Sequence, residues 1–329
     1  MKSVLISVLL LCPLIFLSGQ HFPDTFTSRA DSLSDSSFNY SKRKKIVLAA
    51  GISSYTAVGT GLYFAWYNQF DQSAFHSFDD WDEWVQMDKV GHIYSAYLQS
   101  DLIYGVSRWA GFDQDQALKL GAISSLAGQL GIEIMDGFST QWGFSWTDMG
   151  SNVLGTSLFY FQQKHLGHQM FRMKFSYWPV SYSPSTFSSS GGQAFSSQEM
   201  RSQSLFGSSG LERFLKDYNG QTIWISSSLY HFFPRRNIPK WLAISFGYSG
   251  KNLYGGVSNE WEVDGQLFSV DNPRTRQFIL ALDYNLSELK SNRPLVKSLL
   301  RFANIIKWPA PGVSYSRADG FSFHVVFTN

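Results

Sequence analysis

Three stretches of this chain carry ionisable residues at helical spacing within otherwise apolar sequence, and this restricts the fold more than any other feature. Asp88 and His92 stand four apart with Lys89 between them, Glu133 and Asp136 three apart, and Asp148 and Asn152 four apart. On α-helices each pair shares one face. Their neighbours are Gly, Ala, Ser, Leu, Ile, Trp and Phe, surroundings in which an ion is costly unless it is paired, hydrogen-bonded or metal-bound. Helices that bury these faces separately meet that cost at each one, whereas a shared cluster lets the groups offset one another. His92, Glu133 and Asp148 are therefore expected to converge, surrounded by a polar network of Asp88, Lys89, Asp136, Ser145 and Asn152. Gly91, Gly131 and Gly150 are expected to admit the close backbone approach this needs.

The helix boundaries are legible. The first of the three runs from about Met87 to Trp109 and ends at Gly111-Phe112; Asp113 caps the next, which runs to about Met135. Ser124 and Gly128 form a close-packing row on it, and Asp136-Gly137 marks the turn. Ser145, with Asp148 three residues later in the manner of a capping box, opens a helix to about Lys164.

Upstream the chain has the marks of export. Residues 1–20 read as a secretory signal peptide, with the mature chain starting near Gln20 or His21. Leu11 precedes the only cysteine, Cys12, where a lipid-attachment signal wants a small residue, and the mature chain is left without disulfide or thiol chemistry. After a polar leader over 21–45, ending in the basic cluster Lys42, Arg43, Lys44 and Lys45, come 25 uncharged residues from Ile46 to Phe70, long enough for a bilayer core. A transmembrane helix is expected there. Its row Ser53, Ala57 and Gly61 would pack against the His92 helix, and Tyr63, Trp66 and Tyr67 would form an interfacial belt. The basic cluster would then lie on the exported side, against the positive-inside rule, so the helix belongs to another membrane or is not a span. Asp79, Asp80, Asp82 and Glu83 read as an acidic loop in solvent rather than a cation site.

Composition agrees with a membrane or a large apolar contact face: 44% hydrophobic and 17% aromatic, but only 16% charged. A net charge of +2 without a basic stripe excludes a nucleic-acid partner. Residues 181–210 contain 12 serines and read as a flexible linker. Beyond them, Thr222–Tyr230, Trp241–Tyr248, Gln277–Tyr284 and Phe321–Phe327 have strand character, with one short helix near Pro294–Ile306. Several of these strands are apolar on both faces, so cover by helices or by lipid is expected. The expected fold is α+β: a membrane-associated four-helix region over 46–175, then an antiparallel β region over 211–329 packed on it.

Three chemical readings of the cluster stay open. In the first, His92 is a general base, with Glu133 or Asp148 as orienter or acid and Ser95 or Ser139 as nucleophile or substrate contact. In the second, imidazole and carboxylates from three helices bind a metal, although the Glu-x-x-His pair of strong bundle sites is absent; the metal and any cofactor are left unknown. In the third, the network fixes helix register. Phosphate-binding glycine loops, G-x-S-x-G and H-E-x-x-H are all missing, which counts against common hydrolase and zinc-protease classes.

The run EWVQMDKVGH through GIEIMDGFSTQWGFSWTDMGSNVLG, with LKDYNGQTIWISSSLYHFFP and IIKWPAPGVSY, resembles the DUF2279 family of predicted periplasmic lipoproteins. The order Asp88, Lys89, His92, Glu133, Ser145, Asp148, Asn152, Gly155 is also similar to the VanZ-like membrane proteins. The resemblance implies a periplasmic or outer-membrane envelope protein and no particular reaction. Two functions follow: an envelope membrane protein of structural or binding type, touching membrane lipid and an envelope protein or glycan partner, or a membrane-embedded enzyme on a lipid or peptidoglycan-linked substrate with His92 as base.

Overall fold

The computed structural model describes residues 40–64, 68, 71–192 and 194–327. The expected signal peptide, most of the polar leader, and Trp66, Tyr67 and Phe70 of the expected span lie outside the described residues.

The chain is α+β, with helices in its N-terminal half and an antiparallel sheet in its C-terminal half. Helix α1 is Tyr40–Leu62, α2 Met87–Trp109, α3 Gln114–Gly137 and α4 Trp146–Leu166. The caps are those the sequence implies. The Asp113 carboxylate accepts the Gln116 N–H at the start of α3, and the Ser145 hydroxyl accepts the Asp148 N–H at the start of α4. Helices α2 and α4 lie side by side along their length, with Tyr97 and Tyr104 of α2 meeting Phe159 of α4 edge to face; such ring pairs add about 0.5–1.5 kcal/mol each beyond burial.

Helix α1 departs from expectation. It starts before Ile46 and ends at Leu62, and among the described residues no helix is long and apolar enough to cross a membrane. Ser, Thr and Gly dilute its apolar run. Its small-residue row does not pack against the described residues of the chain either, because Ser53, Ala57 and Gly61 are exposed. Contact is made by larger side chains: Tyr55 sits over Gly128 and donates its hydroxyl to the Ser124 carbonyl, and Arg43 lies over the Trp109 ring. The Ser124/Gly128 row is thus a close-packing surface, with α1 as its partner.

Six strands form the main sheet in the order β1 (Phe171–Tyr177), β4 (Gln221–Ser228), β5 (Leu242–Lys251), β8 (Thr275–Tyr284), β9 (Gly312–Ser316), β10 (Gly320–His324), every neighbour antiparallel. Two hairpins, β2 (Thr186–Ser188) with β3 (Phe195–Ser197) and β6 (Glu260–Val263) with β7 (Gln266–Ser269), flank it. The Ser-rich stretch expected as a linker is structured: it holds β2, β3 and the helix α5 (Gln198–Phe206), and leads into α6 (Gly210–Lys216). Its serines act as caps, Ser197 on the Met200 N–H and Ser209 in a capping box with Glu212. The last helix, α7, is Pro294–Ala303.

The two faces of the sheet differ, contrary to the expectation that both are apolar. Register places Lys174, Trp224, Ser226, Ser245, Ser249, Gln277, Asp283 and Ser314 on one face, all buried and mostly polar or small. Inside it, Lys174 pairs with Asp283 at 2.9 Å, Ser226 donates to the same carboxylate, and Lys307 lies over the Trp224 ring. The opposite face is apolar. Met173, Phe175 and Ile223 pack against Tyr94, Tyr97 and Leu98 of α2, while Phe246, Phe278, Leu280, Leu282, Val313, Tyr315, Phe321 and Phe323 on the same face stay exposed.

Candidate functional site

Before α2 begins, the chain makes an unusual approach. Trp84, Val85 and Gln86 all have positive φ, at 50°, 48° and 63°, a region that is costly for a β-branched residue such as Val85. The β region holds this turn in place: Trp84 N–H donates to Gly256 O, the Tyr248 hydroxyl to Val85 O, and Arg276 to the Gln86 side chain. The turn launches α2 so that Asp88, Lys89 and His92 enter the interior together.

Lys89 is the hub. Its ammonium lies 2.6 Å from Asp148 Oδ1, 2.6 Å from Asp80 Oδ2 and 3.3 Å from Asp88 Oδ2, and the residue is 3% exposed. Asp80 is a correction to the reading of 79–83 as a solvent loop. Asp79 and Asp82 are exposed, but Asp80 is buried and also accepts the hydroxyls of Ser145 and Thr147. The Tyr218 hydroxyl, between α6 and β4, donates to Asp88 Oδ1 and carries the cluster into the β region. Its turn is fixed by Asn219, which accepts the Leu253 N–H, and by Asp217, which accepts the Tyr182 hydroxyl.

His92 sits one helical turn from Asp88 and is 2% exposed. Its Nδ1 is 3.1 Å from Asn152 Oδ1 and 3.9 Å from Glu133 Oε1. Because a side-chain amide oxygen only accepts, Nδ1 carries the proton in the neutral ring, and the Nε2 lone pair points toward Asp148 Oδ2 at 3.7 Å and Asp88 Oδ2 at 3.9 Å. The structure thus brings His92, Glu133 and Asp148 together. Glu133 Oε2 accepts the backbone N–H of Ser145, the bond that the third-position carboxylate would take in a full capping box. Asp148 is left free for Lys89 and His92. Asp136 is half-buried and acts on Glu133 through its charge.

Two of the glycines expected to permit this do not, since a side chain at Gly131 or Gly150 would meet open space. The close approach is at Gly155, where a Cβ would strike the Ile93 backbone.

Among the described residues, four carboxylates, Asp80, Asp88, Glu133 and Asp148, face two basic groups, Lys89 and His92, and these charges order the proton affinities. Burial opposes the His92 cation, but Asp148, Asp88 and Glu133 outweigh it and raise its pKa. Glu133 is pushed up to about 8, by burial first and then by Asp148 and Asp136, with His92 opposing. Asp148 is raised by burial and by Asp88 against the pull of His92 and Lys89. Burial would raise Asp88 as well, yet His92, Lys89 and the Tyr218 hydroxyl hold it well below the usual carboxylate range. Lys89 stays charged: burial disfavours its cation, but Asp88, Asp148 and Asp80 more than compensate.

Beyond His92 the polar column continues with side chains whose atoms have no hydrogen-bond partner among the described residues: Ser95 Oγ, Gln99 Oε1, both amide atoms of Gln129, Asn152 Nδ2 and Thr156 Oγ1. Ser95 is one turn from His92 on the same helix, whereas Ser139 belongs to a separate cleft with Asp71, Gln72 and Phe138. For a metal, Asp88, His92 and Asp148 each offer one ligand atom, all within 4.8 Å of one another.

Tyr218 and Asp80 escape a reading of helical spacing. Tyr218 is far away in sequence, and Asp80 lies in a run of acidic residues with no periodicity. The only signal for Tyr218 was the DYNG run within the family-like stretch.

No curated protein and no solved structure matches the chain, and the VanZ-like likeness is not shown by these comparisons. Residues 76–164, which contain the cluster from Asp80 to Asn152, match the model of the DUF2279 family, described as predicted periplasmic lipoprotein.

Proposed function

We propose that the protein is an exported cell-envelope protein that rests on lipid through the apolar face of its sheet, and that its buried cluster ties the helical unit to the β region as a structural or binding centre. The family description supports an envelope location. The observation that carries the lipid reading is the polarity of the six-stranded sheet, polar within and apolar without, the pattern of strands that face hydrocarbon. The exposed part of that face continues directly from the part covered by α2. At the edge where β4 and β8 end and β5 begins, exposed Arg235, Arg236, Lys240, Lys290 and Arg293 stand beside Phe232, Phe233, Trp241 and Leu289. This mixture suits anionic headgroups above an apolar layer.

Vesicle flotation tests it. The mature protein is expected to float with phosphatidylethanolamine/phosphatidylglycerol vesicles and to stay bound in high salt, and Phe321→Glu with Phe323→Glu is expected to weaken binding. A wild-type protein that stays with the soluble fraction refutes the lipid reading.

A second reading, a membrane enzyme on a lipid or peptidoglycan-linked substrate, is favoured by the tautomer of His92, which leaves Nε2 basic. Against it, His92 and Glu133 are each 2% exposed, so substrate entry requires the helices to part. Loss of lipid or muropeptide turnover in His92→Gln would support it.

A further inference from the structure

We infer that helix α7 is an interfacial helix, lying in the headgroup layer of an anionic phospholipid membrane with Leu295 and Leu299 turned toward the acyl chains.

A surface helix ordinarily buries its apolar stripe and turns its charges to water. Helix α7 does the reverse. Arg301 reaches inward, its guanidinium donating to Asp101 Oδ1 of α2 at 3.2 Å and packing over Gly105. Leu295 and Leu299, one turn apart on the other side, are 54% and 43% exposed. At 3.6 residues per turn Arg301 stands roughly 160° around the helix from Leu299 and roughly 120° from Leu295. The chain after the helix is fixed in this orientation. Asn304, its C-cap, accepts the Leu286 N–H and donates to the Asn285 side chain. Residues 305–307 then pair with Phe175 of β1, and Ile306, the bridge partner of Phe175, joins the apolar face of the sheet and is exposed.

The chemistry around the stripe selects its partner. From Leu289 to Trp308 the chain has five basic residues and no acidic one. Lys307 is buried and Arg301 is paired inward, while Lys290 and Arg293 are exposed beside Leu289 at the N-terminal end of the helix. At the other end Trp308 donates its indole N–H to the Ala303 carbonyl and exposes its ring. Exposed leucines between a basic end and a tryptophan suit a helix in the plane of a membrane, with its cations at the phosphate level and its apolar side below them. A two-fold contact between copies sets a patch against itself, and this one has no acid to meet its own cations. Ile306 gives continuity with the face of the sheet already assigned to lipid.

The inference rests on the reading of the protein as lipid-bound, and probes at single positions separate the two. The only cysteine, Cys12, precedes the expected mature start, so Leu299→Cys, Phe323→Cys and Glu262→Cys each give the mature chain one thiol for an environment-sensitive NBD label. All three side chains are exposed. Phosphatidylethanolamine/phosphatidylglycerol vesicles are expected to shift the emission of the Leu299 label to the blue and raise it severalfold, with no change at Glu262. In flotation, Leu295→Glu with Leu299→Glu should weaken binding about tenfold or more at unchanged Tm, and phosphatidylcholine vesicles should bind less than the anionic mixture. A Leu299 label that stays in water while the Phe323 label enters lipid overturns this inference and leaves the sheet contact standing. The converse removes the sheet contact and supports α7, and both labels in water remove both. Equal binding to phosphatidylcholine overturns the choice of anionic headgroups. A Leu299 shift that grows with protein concentration without vesicles means contact between copies and overturns the lipid assignment of the helix. If the double glutamate variant does not fold, the labels decide.

Discussion

Lys89→Met is the sharpest test of the cluster as a unit. Among the described residues the Lys89 ammonium is the permanent cation that pairs with Asp80, Asp88 and Asp148, and methionine fills similar space without charge. Removing one partner of a buried ion pair leaves the other uncompensated and typically costs about 3–5 kcal/mol. With carboxylate oxygens on three residues within 3.3 Å of Lys89 Nζ, the upper end of that range is expected at neutral pH. The pH dependence follows from the sign of each shift. In the wild type burial works against Asp80 and Asp88, yet Lys89 and the other partners hold both below the usual carboxylate range. Their contribution is therefore complete above that range and is lost as acid titrates them. Without Lys89, burial pulls their proton affinity upward, and a raised carboxylate loses stability as pH rises. The gap between wild type and variant should widen toward neutral pH, by about 1.4 kcal/mol per pH unit for each carboxylate that titrates. Urea unfolding followed by tryptophan fluorescence, at about pH 5 and about pH 7.5, measures this. A variant within about 1 kcal/mol of wild type at neutral pH, the range of an exposed pair, or a gap that narrows as pH rises, would refute the reasoning.

Glu133→Gln should lower the His92 pKa in an NMR titration, since it removes one of the three carboxylates that favour the imidazolium. Because Glu133 is raised from 4.5 to about 8, the folded chain keeps a proton that the unfolded chain releases between those values, so stability falls with rising pH across that window. The same variant should flatten that slope in unfolding curves. Gly155→Ala should destabilise the protein by about 1–3 kcal/mol despite its better helix propensity, because its Cβ meets the Ile93 backbone rather than a movable side chain; an unchanged Tm would count against close α2–α4 contact. Ala57→Phe, on the exposed side of α1, should leave stability within about 0.5 kcal/mol, and a larger loss in thermal unfolding would mean that this face has a partner.

The sequence by itself determined the local structure of the cluster. Caps at Asp113 and Ser145 depend on a side chain reaching a backbone N–H three residues on, and the faces of Asp88/His92 and Asp148/Asn152 depend on helical periodicity, so both are written in short windows. The convergence of His92, Glu133 and Asp148 was legible for a related reason: scattered buried charges are too costly to leave apart. Tertiary structure decided everything that joins distant segments. Lys89 could be placed in the network, but only the fold shows that it joins Asp148 to Asp80, a residue that looked solvated in its acidic run. Tyr218 reaches Asp88 across a separation of 130 residues, with no periodicity to announce it. The serines of 181–210 could be counted but not read, because the same hydroxyl serves a flexible linker or a helix cap depending on the backbone beside it. Which glycine admits a neighbour, Gly155 rather than Gly131 or Gly150, depends on the angle at which two helices cross. So does the exposure of the small-residue row on α1, since a helix can bury only the side its partner reaches.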